Sequence, residues 1–157
     1  MNSFLSPIIA ISLLLISTNS WSNDDNGFNH PGLFHSQNDL DRMREAVEAK
    51  EEPIFSGFKI LQESLHSKSN YRMQGPFPEW GRAPNIRAGE ARNDAKAAYE
   101  NALMWSITGD KAHAKKAIQI INAWANTLKK VSGIDGVLAA GIQGVKFANA
   151  AEILRYS

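Results

Sequence analysis

From residue 30 onward, apolar residues recur at three- and four-residue intervals, and no stretch shows the strict alternation of a half-buried strand. The pattern opens with Ser36 followed by Asp39, a capping box with Asp in the place of the usual Glu or Gln. Leu40, Met43 and Val47 then fall at helical spacing, and Pro53 ends or restarts the helix. A second helix is predicted from Ile54 to about His66, carrying Phe55, Phe58, Ile60, Leu61 and Leu65. A third is predicted from about Asn93 to Ile107, with Ala95, Ala98, Tyr99, Ala102 and Leu103 on one side. Gly109 suits the left-handed residue past a helix end, and Asp110 suits the cap of the next helix. That fourth helix, Lys111 to Lys130, places Ala114, Ala117, Ile118, Ile121, Trp124, Ala125 and Leu128 on one stripe. So tight a link makes the two helices an αα-hairpin. After a Ser132-Gly133 turn, a fifth helix starts near Asp135 and continues to Ser157. The predicted fold is all-α, built from helical hairpins.

On that fifth helix, at about 100° per residue, Leu138, Ile142, Val145 and Ile153 share a stripe, with Asn149 in its middle and Lys146 on its flank. Phe147 and Leu154 lie opposite, so the helix is expected to be buried between neighbours, with Gly141 and Gly144 allowing close approach. An Asn inside such a stripe needs hydrogen-bond partners. It is either a core residue tying two helices together, or it joins Lys146 on the floor of a groove.

Between the second and third helices lies an irregular stretch, Lys68 to Arg92, with three prolines and three glycines. A loop of this length in a compact domain is often functional. Tyr71, Phe77 and Trp80 are interleaved with Arg72, Arg82, Arg87 and Arg92, and Asn85 sits among them. Aromatic rings can stack on sugars, and Arg grips a carboxylate with two hydrogen bonds. The chemistry suits an acidic polysaccharide. The alternative is that the aromatics pack the loop down and the arginines are solvated.

Composition changes this picture at three points. Net charge is +1, from 17 basic and 16 acidic residues, which removes any general argument for nucleic acid or a membrane surface as partner. There is no cysteine, so disulfides and thiolate chemistry are out. His30, His35, His66 and His113 show no metal-binding spacing, and no metal or cofactor is expected. The first 22 residues read as a secretory signal peptide. Their apolar stretch, Ile8 to Ile16, is short for a membrane span, and Ser20 and Ser22 precede a plausible cut before Asn23. An uncleaved membrane anchor is the other reading. A periplasmic or secreted protein, free of the membrane after cleavage, is expected.

Three stretches carry a resemblance: HPGLFHSQNDLDRM, NDAKAAYENALMWSITGDKAHAKKAIQIINAWANTL and LAAGIQGVKFANAAEILRYS. Together and in this order they resemble the N-terminal part of the alginate lyase family. The resemblance implies an incomplete α/α toroid and a polysaccharide lyase acting by β-elimination on a uronic-acid polymer of the alginate or glucuronan type. In such chemistry a Tyr, often with a His, serves as base and acid, while Asn and Arg neutralise the carboxylate beside the acidic C5 proton. It implies that the catalytic residues follow the KFANAAEILR helix, so no catalytic residue is assigned here and the chain is expected to be an N-terminal portion, residues 23–157. Neither Tyr99 nor His113 is assigned as catalyst. By position in the family pattern, the substrate-binding candidates are Trp80, Asn85, Arg87, Lys146 and Asn149. The competing reading is a non-catalytic module, either a helical repeat or an acidic-polysaccharide binder. A tetratricopeptide-like array would need a second copy at a period near 34 residues, and none is present.

Overall fold

The computed structural model describes residues 29–156, so the expected signal peptide lies outside the described residues. Among the described residues there are five helices and two short strands: α1 (Gln37–Ala49), α2 (Ile54–Glu63), β1 (Glu79–Gly81), α3 (Ala88–Thr108), α4 (Lys111–Thr127), β2 (Lys130–Ser132) and α5 (Gly136–Tyr156). The protein is all-α apart from that strand pair.

Local chemistry sets the helix ends. The capping box on α1 is formed: the Asp39 N–H donates to Ser36 Oγ at 3.2 Å, and the Ser36 N–H donates to Asp39 Oδ2 at 3.1 Å. Gly109 ends α3 at φ 70°, a left-handed conformation that costs glycine little, and the Ala112 N–H donates to Asp110 Oδ1 at 2.9 Å to start α4. The Arg44 guanidinium donates twice to the Ser106 carbonyl, at 2.9 and 2.8 Å, fixing α1 to the last turn of α3.

The core lies where α3 packs on α4 and α5. It contains Leu40, Ala91, Ala98, Ala102, Ala117, Ile120, Trp124, Ala139, Ala150 and Ile153. Alanines dominate the α3 face, so the helix axes can approach closely. Two polar residues share that face and are fully buried. Asp94 accepts from Trp124 Nε1 at 2.8 Å, the Tyr71 hydroxyl at 2.9 Å, and the Gln74 and Gly75 N–H groups at 2.9 Å each. Asn101 donates to the His66 carbonyl at 2.8 Å and accepts from His113 Nδ1 at 2.9 Å. Together they fasten the irregular stretch before β1 to the helices.

Several expectations are corrected. The strands were not foreseen: β1 and β2 pair in parallel, Trp80 opposite Val131, with Lys130 Nζ 3.2 Å from Glu79 Oε1. Three residues cannot display an alternation, so the periodicity carried no signal. Helix α3 begins five residues before the expected Asn93. Arg87 is the N-cap in a left-handed conformation, and Asn85 Oδ1, outside the helical pattern, accepts from the Ala88 N–H at 3.2 Å. On α4 the buried positions are Ala117, Ile120 and Trp124, while Ile118 and Ala125 are exposed, so the stripe is rotated toward Ile120. On α5 the buried positions are Ala139, Asn149, Ala150 and Ile153, and Leu138 and Ile142 are exposed. A side chain at Gly141 or Gly144 would meet no atom within 4 Å, so these glycines do not serve close packing here. Helix α2 ends at Glu63 and buries no residue, with Ile60 and Leu65 exposed.

Candidate functional site

The five sequence-derived candidates fall into two groups. Trp80 lies on β1 with Asn85 and Arg87 in the turn between β1 and α3, and Lys146 and Asn149 lie midway along α5. Trp80 is 4% exposed and belongs to the core, so its indole packs the loop down and offers no free face. The Asn85 side chain is engaged with the first N–H of α3. Arg87 is exposed in a left-handed conformation, φ 56°, with its guanidinium 4.8 Å from the Phe77 ring centre and 3.3 Å from Glu90 Oε1. Asn149 is 2% exposed and satisfied at both ends: Oδ1 accepts from the Phe34 N–H at 2.8 Å, and Nδ2 donates to the Val145 carbonyl at 2.7 Å. It is the tying residue, and what it ties to α5 is the segment preceding α1.

Lys146 is different. It is half-buried and donates to Gln143 Oε1 at 2.9 Å. Burial pushes its pKa down, and Arg92 and Lys96 on α3 push it down further by like-charge repulsion. Arg92 and Lys96, one turn apart on α3, are therefore near enough to Lys146 on α5 to repel it. Glu100 pairs with Lys96 at 3.5 Å and also accepts from the Ser64 hydroxyl at 2.6 Å. Among the described residues no carboxylate pairs with Arg92 or Lys146. Like charges held together raise the free energy of the empty site, and an arriving anion relieves that cost. Arg92 and Lys96 were not singled out in the sequence as partners of Lys146. The signal was available: 92, 96 and 99 recur at helical spacing on one face of α3.

The residues after Phe34 cross from α5 to α3. His35 Nε2 is hydrogen-bonded to the Tyr99 hydroxyl, with the two rings stacked at 9°. Phe34 meets the Tyr99 ring edge-on, 6.2 Å between centres. Burial lowers the His35 pKa, with Asp39 opposing, and raises that of Tyr99. A neutral imidazole accepting from a protonated phenol fits both directions. Mechanically the pair pins the segment to α3. His30 binds Glu152 and stacks on Tyr156, fixing the segment's other end.

A 290 Å³ cavity elsewhere, lined by Ile121, Trp124, Ala125, Leu128 and Phe147, offers no converging polar groups. No group of three or more His, Asp or Glu residues suited to a metal exists among the described residues.

Fold and patch together define a helical domain with a cationic patch where α3 packs on α5. The alginate lyase family model matches residues 35–156, and the chain belongs to that family. No curated protein and no solved structure matches the chain. At the level of the family, the activity is that of a polysaccharide lyase.

Proposed function

We propose that the protein is a polysaccharide lyase acting by β-elimination on a uronic-acid polymer of the alginate or glucuronan type, outside the cytoplasm. The observation that carries the substrate class is the cluster of Arg92, Lys96 and Lys146, of which only Lys96 has a carboxylate partner among the described residues. In β-elimination the C5 proton is removed beside a carboxylate, and the carbanion charge spreads onto that group. The electron pair then forms the C4=C5 double bond as the C4–O glycosidic bond breaks, and the leaving oxygen takes up a proton. Fixed cations stabilise the developing charge more than the ground state, which is what accelerates the step. The Lys146 ammonium, partly desolvated, would bind the uronate carboxylate with a charge-assisted bond, and Arg92 would grip it or its neighbour with two. Arg87 lies further toward the start of α3 and would meet a more distant sugar. The base is not assigned to any described residue. The helical hairpin α3–α4 and the adjoining α5 are read as an arc of an α/α toroid.

The test is incubation of the full-length protein with alginate and with glucuronan, following near-ultraviolet absorbance from unsaturated uronate ends. The expected result is rising absorbance on one of them, with a Lys146→Ala variant at least about tenfold slower. Polymer binding without rising absorbance would favour the second reading, an acidic-polysaccharide binding module. The full hydrogen bonding of Asn149 is the observation on that side.

A further inference from the structure

Phe34 is a large apolar side chain left 57% exposed, yet it is not a loose one. Its N–H is bonded to Asn149 Oδ1, its ring rests edge-on against Tyr99, and its neighbour His35 is bonded to the Tyr99 hydroxyl. A ring held in this way loses little conformational entropy on binding. Exposure of single apolar residues is ordinary, but here the fixed ring is held by Asn149, on the same helix as Lys146, and by Tyr99, on the same helix as Arg92 and Lys96. Asn149 holds Phe34 and lies one helical turn beyond Lys146 on α5, about 4.5 Å along the axis. That separation is comparable with one sugar residue of a polymer.

We propose that Phe34 is a stacking platform for a hexuronate ring, set so that a sugar on the platform brings a carboxylate to Lys146. The proposal rests on the uronate reading above. A pyranose has one face rich in C–H groups, which an aromatic face receives, while its carboxylate and hydroxyls point outward to polar partners. Asn149, Tyr99 and His35 act as positioning residues: they touch Phe34 and its backbone, and hold the platform in place.

The experiment is calorimetric binding of mannuronate, guluronate and glucuronate tetramers to the full chain and to Phe34→Ala, Phe34→Leu and Phe34→Trp. Thermal unfolding confirms that each variant folds, as the exposure of Phe34 leads one to expect. For the tetramer that binds, Ala and Leu are expected to weaken affinity about tenfold, and Trp to stay within about twofold. If Ala and Leu bind as the parent does, the platform is overturned and the uronate reading stands. If Leu keeps parent affinity while Ala loses it, the contact is plain apolar burial and stacking is overturned. If the parent binds none of the three tetramers, the uronate reading and the platform fall together.

Discussion

Asp94 has no counterpart elsewhere in the described residues: a fully buried side chain accepting four hydrogen bonds from α4 and the stretch before β1. Asp94→Ala would leave four donors without partners inside the protein. A loss of about 3–5 kcal/mol is expected, read by denaturant unfolding, since each unmet buried donor costs about 1–3 kcal/mol and water re-enters only in part. Gly75 is constrained beside it, because a Cβ there would stand 2.4 Å from the Trp124 ring. Gly75→Ala should cost about 1–3 kcal/mol, the usual range for overpacking, without touching the cation cluster. Two histidines give a pH dependence. Burial lowers the pKa of both His35 and His113 from 6.5. The unfolded chain then binds protons that the folded chain does not. The stability this supplies is complete above about pH 6.5 and is lost as pH falls through the folded values. Thermal midpoints measured from about pH 7.5 down to 5 should therefore decline, and His113→Asn should decline less.

At the scale of elements, the helices were legible wherever local chemistry and periodicity agreed. Ser36 with Asp39, and Gly109 with Asp110, mark boundaries through backbone partners within a few residues, and the structure places the caps there. The start of α3 was not legible, because its N-cap, Arg87, and the Asn85 that accepts from its first N–H lie inside a proline- and glycine-rich stretch that resembles a loop throughout. The burial stripes of α4 and α5 were misplaced for another reason. Helical spacing gives the angle between residues but not which arc meets a neighbour, and Ala139 and Ala150 are buried where the bulkier Leu138 and Ile142 are exposed. Trp80 shows the same limit in the candidate site: its type suited sugar stacking, but pairing with Val131 in the β1–β2 ladder draws it into the core. Lys146 was legible as an oddity on an apolar helix. The shared face of Arg92 and Lys96 on α3 was legible from their spacing, but their nearness to Lys146 was not, because only the packing of α3 on α5 brings them together. Phe34 was invisible as a candidate, since nothing local marks a residue that a distant Asn149 will hold.

For the molecule as a whole, near-neutral charge conceals a local excess. Overall charge is +1, while the packing of α3 on α5 brings Arg92 and Lys96 near Lys146, and of these only Lys96 has a carboxylate partner among the described residues. Binding of an acidic polymer should accordingly weaken about tenfold between roughly 0.05 and 0.5 M salt, because Arg92 and Lys96 are exposed and screened. Part of the affinity should survive at high salt, because Lys146 is half-buried and its pairing is screened less. The most direct test of the central claim changes the ligand and leaves the protein alone. Affinity is measured for a uronate tetramer and for the same tetramer with its carboxylates reduced to alcohols. If the seam between α3 and α5 receives carboxylates, reduction should cost at least about tenfold, and the loss should shrink in Lys146→Ala. Equal affinity for the acidic and reduced tetramers would contradict the account, since the cation cluster would then have no part in recognition.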